Sequence, residues 1–197
     1  MAVSGIILAG GRSSRMGRDK TLLLFKNETL IERTVRKLQN FVDEIIIASN
    51  HTAKYNLPGI VEVPDSYPGM GPLGGMHAGL MAAQHQHSFI VSADMPFFTE
   101  ELARYLLERR AGCDVVVPEI GNRLEPLCAV YSRNCIEPIE KCLQAGVSQV
   151  FRFYPDVRVC KIVESDLRQV GDIKEIFCNL NTPEDLYYLG ENDKPVS

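Results

Sequence analysis

The sequence predicts an α/β fold, a three-layer α/β/α sandwich built on a mainly parallel sheet. Three observations carry this. Strand-like and helix-like segments alternate along almost the whole chain, the pattern of successive β-α-β units. The first segment, 3–9, is mostly apolar rather than alternating, as expected of a strand covered on both faces. The chain of 197 residues has no internal repeat, low-complexity tract or linker, which suits one domain over 1–190 and a polar tail over 191–197.

The elements follow in order. A helix is predicted over 30–41, where Ile31, Val35 and Leu38 recur at helical spacing between polar positions. Strands follow at 44–48 and 60–63, then a helix over 73–87 and a strand over 88–93. Thr99 is a good N-cap, and Glu100 and Glu101 favour the first turn of a helix reaching about Arg110. Strands are predicted at 114–117, 127–131 and 158–163. A helix is predicted over 132–145, kinked or divided at Pro138. A last helix opens at Thr182, with Pro183 at its first position and Glu184 and Asp185 next.

Charge and cysteine usage narrow the function. Lys and Arg total 21 against 25 Asp and Glu, a net charge of −4, whereas coating nucleic acid calls for a basic surface. No apolar run reaches the ~18–20 residues of a membrane span, and the N-terminus lacks the charged start of a signal peptide. A cytoplasmic protein is expected. Cys113, Cys128, Cys135, Cys142, Cys160 and Cys178 form no C-x-x-C pair and read as small apolar residues, without a metal site or disulfide framework. The histidines, His51, His77, His85 and His87, show no metal-ligand pattern, and His85 and His87 are expected at a helix end.

In a mainly parallel sheet, ligands bind outside the carboxyl ends of the strands. The loop after the first strand is the richest in chemistry. Leu8-Ala9-Gly10-Gly11 leads into Arg12, Arg15, Arg18 and Lys20, four cations opposed only by Asp19. Adjacent glycines allow close backbone approach, and successive free N–H groups form an anion-binding concavity. This suits a polyphosphate, although the spacing is neither Walker A nor G-x-G-x-x-G. Asp94, at the end of the 88–93 strand before Met95-Pro96, is either a turn cap or a hard oxygen ligand for Mg²⁺. Asp65 either closes an Asx-turn or offers its carboxylate to the amino group of a guanine. Asn179 and Asn181 flank Leu180 and either cap the final helix or face a ligand together. The segment 123–127 is a polar entry to a strand that could hold part of a second substrate.

These motifs resemble the molybdenum cofactor guanylyltransferase family. Leu8-Ala9-Gly10-Gly11-x3-Arg15-Met16-Gly17-x-Asp19-Lys20 is similar to its signature. Gly71-Pro72-Leu73-Gly74-Gly75-Met76, Ser92-Ala93-Asp94-Met95-Pro96-Phe97 and Asn179-Leu180-Asn181-Thr182-Pro183-Glu184-Asp185-Leu186 resemble three further motifs in the family's order. The resemblance implies a Rossmann-like nucleotidyltransferase sheet and Mg²⁺-dependent transfer of GMP from GTP to the phosphate of molybdopterin or molybdenum cofactor, releasing pyrophosphate. It implies nucleotide contacts at Leu8, Ala9, Gly10, Gly11, Arg12, Lys20, Asn50, Asp65 and Asp94, with Asp94 the metal ligand. Asn179 and Asn181 fall beside the pterin or metal.

The chemistry expected of that loop is electrostatic. Gly10, Gly11 and Arg12 bind the β- and γ-phosphates, and Arg15 and Lys20 stabilise charge at the α-phosphorus. Asp94 completes the catalytic set. The implied partners are GTP, molybdenum cofactor and a protein that delivers or receives that cofactor, with neither nucleic acid nor membrane. Two rivals remain: transfer of another nucleotide such as CMP to the same cofactor or to a sugar or polyol phosphate, and a non-catalytic nucleotide or cofactor chaperone.

Overall fold

The computed structural model describes residues 2–10, 20–25, 27–50 and 53–180. Arg12, Arg15, Gly11, Asn181, the helix expected from Thr182 and the tail lie outside the described residues, as does the side chain of Lys20. The described chain forms one eight-stranded sheet and a separate two-stranded one. The large sheet comprises β1 Ser4–Leu8, β4 Glu44–Ser49, β5 Val61–Pro64, β6 His87–Ser92, β7 Val115–Ile120, β8 Arg123–Leu124, β9 Cys128–Ser132 and β10 Val159–Val163. The short hairpin is β2 Leu24–Phe25 with β3 Glu28–Thr29.

The strand order is β10-β7-β9-β6-β1-β4-β5, with β8 paired to β7. Strands β5, β4, β1 and β6 run parallel, as do β7 and β10, while β9 runs against both β6 and β7. The mainly parallel sandwich is therefore present, with β9 and the short β8 reversed. Helices α1 Leu30–Leu38, α3 Glu100–Glu108, α5 Glu164–Leu167 and α6 Ile173–Ile176 cover one face around Ile7, Phe89 and Phe98. Helices α2 Gly71–Ala82 and α4 Ile136–Gln144 cover the other around Ile6, Ile46 and Tyr131.

Sequence signals explain the boundaries. Thr29 closes a capping box on α1, its hydroxyl accepting from the Glu32 N–H while Glu32 bonds back to the Thr29 N–H. That reciprocal pairing satisfies two otherwise orphaned donors. Thr99 caps α3 as expected, accepting from the Leu102 N–H at 3.1 Å. Gly121 and Asn122, with φ of 51° and 67°, join β7 to β8; two consecutive positive φ values are what a tight hairpin turn requires.

Three expectations are corrected. Helix α2 stops at Ala82, and Ala83 is already extended, so His87 opens β6 rather than ending a helix. Pro138 neither kinks nor divides a helix: a short 3₁₀ turn over Arg133–Cys135 precedes α4, and Pro138 falls in its first turn, where a missing N–H costs no bond. Cys128 and Cys135 are the buried residues expected, but Cys113 and Cys160 form a disulfide across 47 residues with Cα atoms 5.9 Å apart. Among the described residues no helix is long and apolar enough to cross a membrane.

Candidate active site

Parallel register brings the predicted polar residues to one edge. Leu8 is level with Ala48 of β4 and Ser92 of β6, and Ala48 with Val63 of β5. Each strand then ends within a residue or two, so Ala9-Gly10, Asn50, Asp65 and Asp94 emerge on the same rim. Backbone bonds hold these ends together: Ala9 N–H donates to Ala48 O at 2.9 Å, Ala93 N–H to Leu8 O at 3.0 Å and Asp65 N–H to Ser49 O at 3.1 Å.

A cavity of about 350 Å³ opens there, lined by Leu8, Gly10, Asn50, Asp65, Gly71 and Gly75 among others. Its size falls at the lower end of small-molecule sites. Gly10 lies beside Asn50: a Cβ there would stand in ordinary van der Waals contact with Asn50 Oδ1, at 3.6 Å. Asp65 is half-buried, and its Oδ1 accepts the Tyr67 N–H at 2.8 Å. The Asx-turn expected as an alternative therefore exists, and Asp65 lines the cavity while Oδ2 makes no hydrogen bond among the described residues. Burial raises the pKa of Asp65, opposed by the Tyr67 N–H and by His77.

Asp94 stands on the other side of β1. Ser92 Oγ donates to its Oδ1 at 2.6 Å, which fixes the carboxylate over the end of β6. The Leu180 N–H donates to Asp94 O at 2.9 Å, drawing the exposed Asn179 into the same neighbourhood. The turn after Asp94 is held from α1: Lys37 Nζ donates to Pro96 O and Phe98 O, both at 2.7 Å. Burial, then Arg33 and Arg36, lower the Lys37 pKa to about 8. The segment leading into β9 borders this rim too, since the Ser92 N–H donates to Leu127 O at 2.9 Å. Burial raises the pKa of Glu125 in that segment.

Sequence reading thus places Leu8, Ala9, Gly10, Asn50, Asp65, Asp94 and Asn179 on one edge, and the structure brings them together. It missed Ser92, Lys37 and Tyr67. Ser92 was findable, since a residue two before Asp94 at a strand end points the same way. No group of three or more His, Cys, Asp or Glu suited to a metal occurs among the described residues. Asp94 as a single hard carboxylate at the strand-end rim fits Mg²⁺, which takes one or two carboxylates and completes its shell with water and substrate oxygens.

A mixed, mainly parallel sheet with its polar residues at the carboxyl edge and a glycine-rich loop after β1 is the architecture of nucleotidyltransferases. The fold matches "Molybdopterin-guanine dinucleotide biosynthesis protein A" from Archaeoglobus fulgidus at a TM-score of 0.82 and 24% identity, covering 96% of this chain and 97% of that one. It also matches 2-C-methyl-D-erythritol 4-phosphate cytidylyltransferase from Thermus thermophilus at 0.72 and 18% identity, covering 98% of each chain.

The particular family is set by sequence. Residues 5–159 match the family model "MobA-like NTP transferase domain", and the chain belongs to that family. It is 45% identical over 186 residues to the "Probable molybdenum cofactor guanylyltransferase" of Pelotomaculum thermopropionicum, covering 94% of this chain and 91% of that protein. The "Molybdenum cofactor guanylyltransferase" of Desulfosudis oleivorans is 38% identical over 187 residues, covering 94% and 93%.

Proposed function

We propose that the protein transfers GMP from GTP to the terminal phosphate of a molybdopterin-type cofactor, releasing pyrophosphate. The observation that carries this reading is the shared rim: Gly10, Asn50 and Asp65 around one cavity and Asp94 beside it, in a chain 45% identical to a relative of that name. An acceptor phosphate is already anionic and needs no general base, so catalysis reduces to positioning and charge neutralisation. The acceptor oxygen attacks the α-phosphorus in line, the bond to the β-phosphate oxygen breaks, and pyrophosphate carries the electron pair away.

The chain's own groups divide the work. Leu8 and the cavity wall flank the base, and Asp65 accepts its N–H donors. Asn50 and the Ala9-Gly10-Gly11 backbone hold the nucleoside and phosphates, with Arg12 on the β- and γ-phosphates. Arg15 and Lys20 neutralise charge developing at the α-phosphorus. Asn179 and Asn181 orient the acceptor across Asp94 from the nucleotide. A Mg²⁺ ion on Asp94 would neutralise phosphate charge shared by donor and acceptor. A protein that delivers or receives the cofactor belongs to the same reading.

The test is pyrophosphate release from GTP with cofactor as acceptor, with CTP, ATP and UTP compared. Lys20→Ala and Asp94→Ala are expected to fold as the parent does and to lose about 10²–10³ in rate, the usual loss for one electrostatic contact. Parental turnover in either variant would overturn its role. A preference for CTP would replace the guanylyl assignment, and GTP binding without pyrophosphate release would favour the chaperone.

A further inference from the structure

Helix α2 carries a buried polar side chain into its packing with the β5–α2 connection and α4. His77 is 6% exposed, and both ring nitrogens are buried without a hydrogen-bond partner. A neutral imidazole has one donor and one acceptor, and leaving both unmade is rare in a native interior.

Its setting is specific. His77 follows Gly74 by three residues, so the two share a face of α2, and a helical side chain leans back over the preceding turn. At Gly74 that space holds the Asp65 carboxylate: a Cβ there would fall 2.4 Å from Oδ1 and 2.7 Å from Oδ2. Tyr67 joins the two. Its ring meets the imidazole edge-on with centroids 5.5 Å apart, its N–H donates to Asp65 Oδ1, and its hydroxyl donates to Glu140 Oε1 at 3.3 Å. The charged groups acting on His77 are Asp65 from the connection and Glu140 from α4; both favour the imidazolium, but burial outweighs them and lowers its pKa.

We propose that His77 is a positioning residue that makes guanine recognition depend on its protonation. Neutral, it leaves the Asp65 carboxylate to the base. As an imidazolium, it carries a second N–H donor and a positive charge attracted by the Asp65 and Glu140 carboxylates, and the ion pair it forms withdraws Asp65 from the base. This inference rests on the guanylyl reading and adds a proton-controlled element to it. Since an ordinary histidine titrates near 6.5 and burial lowers that value here, His77 is neutral at pH 7.5. GTP affinity is then full above the His77 pKa and is lost as pH falls through it.

The experiment is calorimetric titration of GTP and ATP at pH 7.5 and 5.5 into the full chain, His77→Phe, His77→Gln and Asp65→Asn, each verified as folded at both pH values. ATP carries the same triphosphate, and so the same phosphate ionisation, but lacks the N1–H and 2-amino donors. For the parent, GTP affinity is expected to fall several-fold beyond any change with ATP, and by less than about tenfold, because a histidine titrating below 6.5 is at most about ten parts protonated to one neutral at pH 5.5. His77→Phe and His77→Gln should bind GTP with one affinity across the range after the same correction, and Asp65→Asn should bind it weakly with no excess pH dependence. Parental GTP affinity that tracks ATP, or an excess loss that survives in both His77 variants or in Asp65→Asn, overturns the proposal and leaves the guanylyl reading standing. Absence of GTP binding at both pH values overturns both.

Discussion

At the scale of single residues, the proposed reaction separates groups that would touch substrate from groups that hold those groups still. Ser92 is of the second kind, its hydroxyl on Asp94 Oδ1 at 2.6 Å. Outer partners of metal-binding carboxylates commonly contribute about 10–100-fold in metal affinity or activity. Ser92→Ala is therefore expected to raise the Mg²⁺ concentration for half-maximal pyrophosphate release about 10-fold, with GTP binding in the absence of metal little changed; an unaltered Mg²⁺ requirement would remove Ser92 from this role. Asp94 and Asp65 were legible in the sequence because each is a polar residue where an apolar strand stops, and Asn50 through the family resemblance. Lys37, Tyr67 and His77 were not, because spacing says which face of its own helix or turn a residue occupies but not what comes to meet it. Lys37 acts on Pro96 and Phe98 from 59 and 61 residues away.

At the scale of elements, α2 shows how close packing sets the cavity wall. A Cβ on Gly79 would lie 2.5 Å from Ile6 Cγ2, a γ-methyl on a stiff β-branched side chain. Helix α2 can thus lie directly on β1, and its N-terminal end reaches the cavity at Gly71 and Gly75. Gly79→Ala gains about 1 kcal/mol of helix propensity but overpacks the interface by about 1–3 kcal/mol. A net loss of thermal stability is expected, and in an Ile6→Ala background the same substitution should become neutral or stabilising; the double-mutant cycle measures the coupling. Element types and order were largely readable, because apolar strands and capped helices carry local signatures. Ends were less so. The helix over-extended to 87 because Ala82 and Ala83 are good helix formers with no glycine or proline after them. The Gly121-Asn122 hairpin signal was present and overlooked. The disulfide was illegible because only tertiary pairing of β10 with β7 brings Cys160 to Cys113.

Across the whole molecule, the candidate site and a set of stabilising ties occupy opposite edges of one sheet. Strand β7 is parallel to β6, since both run against β9. The amino end of β7, with Cys113 and Asp114, therefore lies away from the rim that carries Asp94. Asp114 is 8% exposed. Its Oδ2 accepts from the Arg158 N–H at 3.0 Å and Nε at 3.1 Å, and its Oδ1 accepts from Asn134 Nδ2 at 2.8 Å, tying β7 to β10 and the end of β9. Arg158 is the main cause of an Asp114 pKa well below the usual carboxylate range. A carboxyl depressed on folding stabilises above its unfolded pKa, near 3.9, and that stability is lost as pH falls from there through the folded value. With Arg158 largely exposed and its charge screened, Asp114→Asn is expected to cost about 2 kcal/mol at pH 7 and to blunt the parental loss of stability below pH 4. Opening the disulfide with reductant, or Cys113→Ser, should cost up to about 4 kcal/mol by the loop-entropy argument, at about 2–4 °C of Tm per kcal/mol for a chain of this size. Both changes should leave the GTP dissociation constant at 25 °C unaltered, because neither touches the carboxyl ends of β1, β4, β5 or β6. Thermal unfolding across pH 3–7, with and without reductant and paired with GTP titrations, checks the division. A loss of GTP affinity that tracked the loss of Tm would mean that the two edges are coupled through the sheet.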